Sequence, residues 1–156
     1  MPHQVAVCGP RDCTEQDEAN AYRVGQLLAE EGAVVFCGGG VGVMAAVARG
    51  VRSREGLVIG IRPDDDRAGA SPELSAVVFT NLGEARNAVL VWSADAVIAI
   101  GGSWGTLSEI ALAKRRGGIP VVCLDGWRLS DSEGNAIGGI DFASTAEDAV
   151  HRAMNG

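Results

Sequence analysis

Short apolar runs alternate along this chain with longer stretches in which apolar positions recur at helical spacing. The runs Gln4 to Cys8, Ala33 to Cys37, Leu57 to Ile61, Ala76 to Thr80, Ala94 to Ile100 and Ile119 to Leu124 read as buried strands. Between them, helical spacing predicts helices at Glu15 to Glu31, Val41 to about Arg54, Glu84 to Trp92, Trp104 to Arg116 and Thr145 to Met154. Thr14 is positioned to cap the first helix, and Gly32 stands just past its end. Arg62 to Glu73, with Pro63, Asp64-Asp65-Asp66, Gly69 and Pro72, is a polar loop long enough to be functional, and Asp125 to Gly139 is a second. Strands with few polar positions, alternating with helices, predict an α/β fold: a single-domain, doubly wound, Rossmann-like sheet, mostly parallel, with helices on both faces. Ligands of such sheets bind beyond the carboxyl ends of the strands, at the switch point.

Two of the predicted strand-to-helix junctions are glycine turns. Ala96-Val97-Ile98-Ala99-Ile100 runs into Gly101-Gly102-Ser103-Trp104-Gly105-Thr106-Leu107-Ser108-Glu109. The first amides of a helix have no intrahelical acceptor, and together with the helix dipole they attract an anion to the helix start. Glycines let a phosphate approach the backbone closely, and Thr106 adds a hydroxyl. Glu109 follows about one turn into the helix, in reach of a neighbouring hydroxyl or ring. The second turn is Gly38-Gly39-Gly40-Val41-Gly42, leading into Val43-Met44-Ala45-Ala46. Its Gly40–Ala45 stretch also fits G-x-G-x-x-A, with Asp64 about 20 residues on, which is the form of a dinucleotide site. It follows the second strand rather than the first, however, and a nicotinamide site leaves the 101–109 turn unexplained.

Composition narrows the partners. The chain has 156 residues, one domain by length, spanning 1–156. Its hydrophobic fraction of 47% and mean hydropathy of +0.14 argue for a folded core, built mainly of Val, Ala, Leu and Ile because aromatics are only 4%. A net charge of −7 argues against a nucleic-acid partner held through its backbone. No apolar run is long enough to span a membrane and no secretory signal opens the chain, so a cytoplasmic location is expected. Cys8, Cys37 and Cys123 fall in strand patterns, as small apolar side chains do, and the Cys8–Cys13 spacing suits no zinc site. No metal and no cofactor are expected, and His3 and His151, near the termini, make poor catalytic bases. The Asp64–Asp66 run reads as a solvated loop. Trp104 could stack on a base or cap the sheet edge.

Arg86 opens the helix before the strand that leads to the 101–109 turn. An Arg, then the strand Ser93-Ala94-Asp95-Ala96-Val97-Ile98-Ala99, then the Gly101–Glu109 turn resembles the Arg, apolar strand and GGxGTxxE arrangement of the Lonely Guy (LOG) proteins, once misannotated as lysine decarboxylases. Gly38 to Met44 is similar to their GGGxxGLM segment, and nearly the whole chain fits the pattern. The resemblance implies a Rossmann-like homodimer that splits a nucleoside 5′-monophosphate, such as AMP or a cytokinin riboside monophosphate, into free base and ribose 5-phosphate. Arg86 and Glu109 match the family's catalytic pair, and Gly101, Gly102, Gly105 and Thr106 its phosphate loop. Ser103 and Trp104 in that loop, Gly38, Gly39, Gly40, Gly42 and Met44 in the first, and Asn87 complete the expected nucleotide-binding set. The expected chemistry is oxocarbenium-like, with Glu109 stabilising charge or positioning water and Arg86 holding Glu109 ionised or binding phosphate or base. The chain departs from the pattern at Ile100, where the family has Pro, at Asn87, where it has a basic residue, and at Ala85, where it has Glu. In these features it is more similar to a sister group of short Rossmann proteins that includes molybdenum-cofactor carriers, which bind a phosphorylated pterin without turning it over.

Overall fold

The computed structural model describes residues 1–156. Seven strands form one sheet: β1 Gln4–Cys8, β2 Val34–Cys37, β3 Leu57–Arg62, β4 Ala76–Phe79, β5 Ala96–Ile100, β6 Val121–Leu124 and β7 Asp141–Ala143. Their order is β4-β3-β2-β1-β5-β6-β7 and every pairing is parallel. The sheet is fully rather than mostly parallel. Five helices connect or follow the strands: α1 Glu15–Glu30, α2 Val43–Arg52, α3 Arg86–Trp92, α4 Trp104–Arg116 and α5 Ala146–Asn155. Helices α1, α2 and α5 share one core with one face of the sheet, and α3 and α4 cover the other. All five residues of β5 are buried, as the central strand of a two-sided sheet must be.

Chain order reverses between β1 and β5, so the loops after these two strands diverge and leave a crevice. That puts Gly9-Pro10-Arg11, after β1, beside the turn after β5. Local sequence sets the helices around this point. Thr14 caps α1 with a reciprocal capping box, its hydroxyl accepting from the Asp17 amide while Asp17 accepts from the Thr14 amide. Ser103 caps α4 and Thr145 caps α5. Helix α4 ends in Lys114-Arg115-Arg116, favourable at the negative end of the dipole, and stops at Gly117 with φ 69°.

Three sequence expectations shift. The predicted Glu84–Trp92 helix begins as a 3₁₀ turn over Gly83–Ala85, and its α-helical part starts at Arg86. The strand β7 lies just past the polar loop, in a stretch where no strand is expected; three residues are too few to show a period. Asp64 is not simply solvated, because it pairs with the buried Arg62 at 2.5 Å. No helix is long and apolar enough to cross a membrane.

Candidate functional site

A cleft of about 550 Å³ opens at the switch point. One wall is the loop after β1, Gly9 to Asp12; the other is the start of α4, with Ser103, Gly105 and Thr106. Arg86, Asn87 and Glu109 form its inner part, with Met44, Pro63, Gly83 and Glu84 at the side.

Helix α4 supplies both an anion-seeking end and a carboxyl group. The Ser103 hydroxyl accepts from the Thr106 amide at 3.2 Å and lies 2.9 Å from the Thr106 hydroxyl, and the Ser103 carbonyl takes the Leu107 amide. Helix geometry then leaves the Trp104 and Gly105 amides over. Gly105 has no side chain to screen them; a Cβ there would meet only the Ser103 hydroxyl, at 3.8 Å. Thr106 and Glu109 are three residues apart and therefore face the same way, inward.

Glu109 is 8% exposed. Burial pushes its carboxyl above the ordinary range, while the neighbouring Cys8 thiol and the Arg86 guanidinium pull the other way. Burial in turn lowers Arg86, and Glu109 opposes that shift. Cys8 is raised well above the usual thiol range, first by its burial and then by Glu109, so it stands in the site as a neutral S–H donor.

Arg86 is pinned from behind. One terminal nitrogen, Nη1, donates to the Gly38 carbonyl at 2.7 Å and the Ile61 carbonyl at 2.6 Å, and Nε donates to Asn87 Oδ1 at 2.7 Å. Nη2 has no acceptor within the protein. The guanidinium is thus a fixed positive group with one donor edge left for the cleft.

The first glycine turn serves this arrangement from below. A Cβ on Gly38 would lie 2.5 Å from Met44 Sδ and 2.8 Å from Arg86 Nη1, and one on Gly39, at φ 72°, would lie 3.0 Å from Arg62 Cδ. Gly42, at φ 68°, packs against the carbonyls of Pro10 and Arg11. Of the residues expected from the first turn, Met44 lines the cleft, whereas Gly38, Gly39, Gly40 and Gly42 form the bed for the two arginines and the β1 loop.

The second turn is split. Ser103, Gly105 and Thr106 reach the cleft. Gly101, at φ 71°, lies against the Asp17 carboxylate, and Gly102 lies under the Trp127 ring, where a Cβ would come within 2.5 Å of the indole nitrogen. Trp104 points to the outer flank, 78% exposed, with its ring edge-on to Trp127 at 5.0 Å.

Sequence reasoning misses three contributors. Cys8 reads only as an apolar filler, although its place at the end of the strand before Gly9 puts it at the switch point. Arg62, 8% exposed, holds Asp64 and the Gly69 carbonyl and donates to the Gly39 carbonyl at 3.4 Å, and so ties the loop after β3 to the first glycine turn. A charged residue ending an apolar strand is its visible signal. Trp127 covers Gly102 from a loop that carries no periodic pattern.

The comparisons with known proteins agree with this architecture. The SLOG cluster4 family model matches residues 2–150. The chain belongs to the SLOG cluster4 family. It is 39% identical over 140 residues to an uncharacterized protein of Archaeoglobus fulgidus, covering 86% of this chain and 91% of that one. Over 99 residues it is 35% identical to the probable cytokinin riboside 5′-monophosphate phosphoribohydrolase of Oryza sativa subsp. japonica, spanning 58% of this chain but only 38% of the rice protein. Among solved structures it is similar to the molybdenum cofactor binding protein from Rippkaea orientalis, with a TM-score of 0.86 and 36% identity over 97% of this chain and 94% of that one. The molybdenum cofactor carrier protein from Chlamydomonas reinhardtii superposes with a TM-score of 0.82 and 26% identity, covering 97% of this chain and 95% of that one. The LOG-like Rossmann fold expected from the sequence is thereby established.

Proposed function

We propose that this protein is a carrier or sensor that holds a phosphorylated heterocycle, with molybdenum cofactor as the leading cargo, and does not cleave it. The observation that carries the reading is the pairing, across one cleft, of an open α4 start with a pinned guanidinium that still has a free donor edge. The phosphate would sit at the Trp104 and Gly105 amides with the Ser103 and Thr106 hydroxyls, where the helix dipole favours it. Arg86 and Asn87 would hold the rest of the ligand. Support comes from the likeness, over nearly the full chain, to two proteins described by their binding or carriage of molybdenum cofactor.

The second reading is phosphoribohydrolase activity. It is favoured by one specific feature, Glu109 facing the same cleft as the α4 start and lying beside Arg86. In that reading Glu109 stabilises positive charge developing on the ribose, and Arg86 keeps Glu109 ionised.

Anaerobic titration with molybdenum cofactor released from a molybdoenzyme tests the first reading, and incubation with a panel of nucleoside monophosphates tests the second. Saturable cofactor binding without free base from any monophosphate is the expected result. Free base and ribose 5-phosphate from the wild type would replace the carrier with the enzyme.

A homodimer belongs to the same proposal. Leu82, Val89 and Trp92 are exposed on the outer side of α3 and its leading turn, and a second copy seated there would lie near the cleft through Arg86. Sedimentation at several concentrations checks it; a monomer throughout would remove the dimer and leave the ligand reading standing.

A further inference from the structure

Asn87 is 8% exposed, lines the cleft, and uses only half of its amide within the protein. Its Oδ1 accepts from Arg86 Nε at 2.7 Å, and its Nδ2 makes no hydrogen bond with any protein group. That orientation is forced. Turning the amide over would set its NH₂ against the Arg86 N–H, donor against donor. On a planar guanidinium, Nε–H and one Nη2–H share an edge, so Nη2 opens beside the Asn87 amide. The inner end of the cleft therefore presents N–H donors from Asn87 and Arg86, with the Glu109 carboxyl close to the same guanidinium.

Charge decides what this end can take. Arg86 and Glu109 cancel formally, and Arg62 is already matched by Asp64. A second anionic group would gain no net attraction here and would meet the Glu109 carboxylate. A neutral group with an acceptor oxygen and a donor hydrogen satisfies both sides, the oxygen taking Nδ2–H or Nη2–H and the hydrogen going to Glu109. A hydroxyl does this with one atom, and a lactam edge does it with its C=O and N–H.

We infer that Asn87 is a specificity-determining residue: held donor-outward by Arg86, it selects phosphomonoesters whose inner end is an uncharged hydroxyl or lactam, and it gives no advantage to a second anion. The inference rests on the phosphate-ligand reading above and deepens it. It also explains why an amide suits this position. Aspartate would accept from Nε and Nη2 together, closing the donor edge and adding a negative charge.

Calorimetric titration of the full chain with four probes tests it: butyl phosphate, ribose 5-phosphate, GMP and butane-1,4-diyl bisphosphate. The wild type is expected to bind ribose 5-phosphate or GMP at least about tenfold tighter than butyl phosphate, and the one that gains identifies hydroxyl or lactam as the recognised group. The bisphosphate is expected to gain nothing. In Asn87→Asp ribose 5-phosphate and GMP should bind no more than about threefold tighter than butyl phosphate, whatever the absolute affinity of the variant. Equal binding of butyl phosphate, ribose 5-phosphate and GMP by the wild type would overturn the inference, with no dependence on how the variant folds. So would a bisphosphate that binds tightest, or an advantage that survives Asn87→Asp. If no probe binds the wild type, the phosphate reading falls and takes this inference with it, a pattern distinct from the others.

Discussion

The two glycine turns look alike in sequence and are used in opposite ways. Both follow a buried strand and lead into a helix. In the turn after β2, the carbonyls of Gly38 and Gly39 accept from the guanidiniums of Arg86 and Arg62, and the space glycine leaves is filled by these side chains and Met44. In the turn after β5, space at Gly101 and Gly102 is taken by Asp17 and Trp127, and from Ser103 onward the backbone is open to the cleft. One turn binds the protein's own cations through carbonyls; the other offers amides to an outside anion. A glycine at a strand–helix junction reports close approach of something, and only the packing tells whether that is a ligand or a neighbouring side chain.

The sharpest way to break this contrast is to remove the cation from the first turn. Arg86→Ala leaves the Gly38 and Ile61 carbonyls without their partner and Glu109 without its counter-charge. A loss of about 3 kcal/mol is expected, which for a chain of this size lowers Tm by roughly 6–12 °C. Arg86→Lys should recover little, because an ammonium cannot reproduce the planar fork that reaches two carbonyls and Asn87 together. Unchanged thermal unfolding in Arg86→Ala would show that the first turn does not depend on the guanidinium.

The same substitution in the two turns should separate stability from binding. In Gly39→Ala, a left-handed residue gains a Cβ beside Arg62 and the Gly60 backbone, at a cost of about 2 kcal/mol. In Gly105→Ala, the new methyl meets open space in a helical turn, so stability should hold or rise by up to about 1 kcal/mol. That methyl also screens the amides from the cleft, so inorganic phosphate and AMP should bind several-fold more weakly. Chemical unfolding and calorimetry on both variants check the pair. Equal phosphate binding by Gly105→Ala and wild type would remove the α4 start as the anion site.

What is legible in sequence follows from this difference. The alternation of strands and helices is legible because each central strand is buried on both faces, and the Thr14 cap because capping is local. Helix α4 falls at its predicted residues because its cap, its formers and its terminating glycine all agree. Arg86, Asn87, Thr106 and Glu109 emerge as a set through spacing and resemblance, and the fold does bring them to one cleft. The fates of Gly38, Gly101 and Gly102 are not legible, because Arg86, Asp17 and Trp127, which fill them, come from distant segments. Asn87 can be named as a site residue, but the direction of its amide depends on the Arg86 side chain lying beside it. Cys8 escapes notice for a related reason, since its strand neighbours are apolar and Glu109 is far away in the chain, and Arg62 because its hold on the first turn runs through the Gly39 carbonyl, 23 residues away.

A smaller effect is expected at the cap of the second turn. Ser103→Ala removes the acceptor of the Thr106 amide, costing about 1 kcal/mol, and takes one hydroxyl from the anion's surroundings. Phosphate affinity should fall a few-fold, less than in Gly105→Ala, because the freed Thr106 amide can itself turn to the ligand. If Ser103→Ala bound phosphate less well than Gly105→Ala, the hydroxyl rather than the backbone would be the principal contact.

The smallest effect, and the one whose sign depends on pH, is at Glu109, where the two turns meet through Arg86. Burial raises its carboxyl in the folded state, against the partial relief given by Cys8 and Arg86. A carboxyl raised by folding binds its proton more tightly in the folded chain than in the unfolded one. Its contribution is therefore fully present below the unfolded value of 4.5 and is lost as pH rises from there through the folded value. At neutral pH the ionised carboxylate is a net cost, which Glu109→Gln removes while keeping shape and hydrogen bonding. The variant should melt a few °C above wild type at pH 7, and this gain should shrink steadily as the pH is brought down to about 4. Binding of AMP should stay within a few-fold in this variant, because the amide keeps the shape of the carboxyl and an acceptor oxygen. Glu109→Gln melting below wild type at pH 7 would mean that the charge of Arg86 more than offsets the burial of the carboxylate, so that their attraction holds the first turn and Glu109 together.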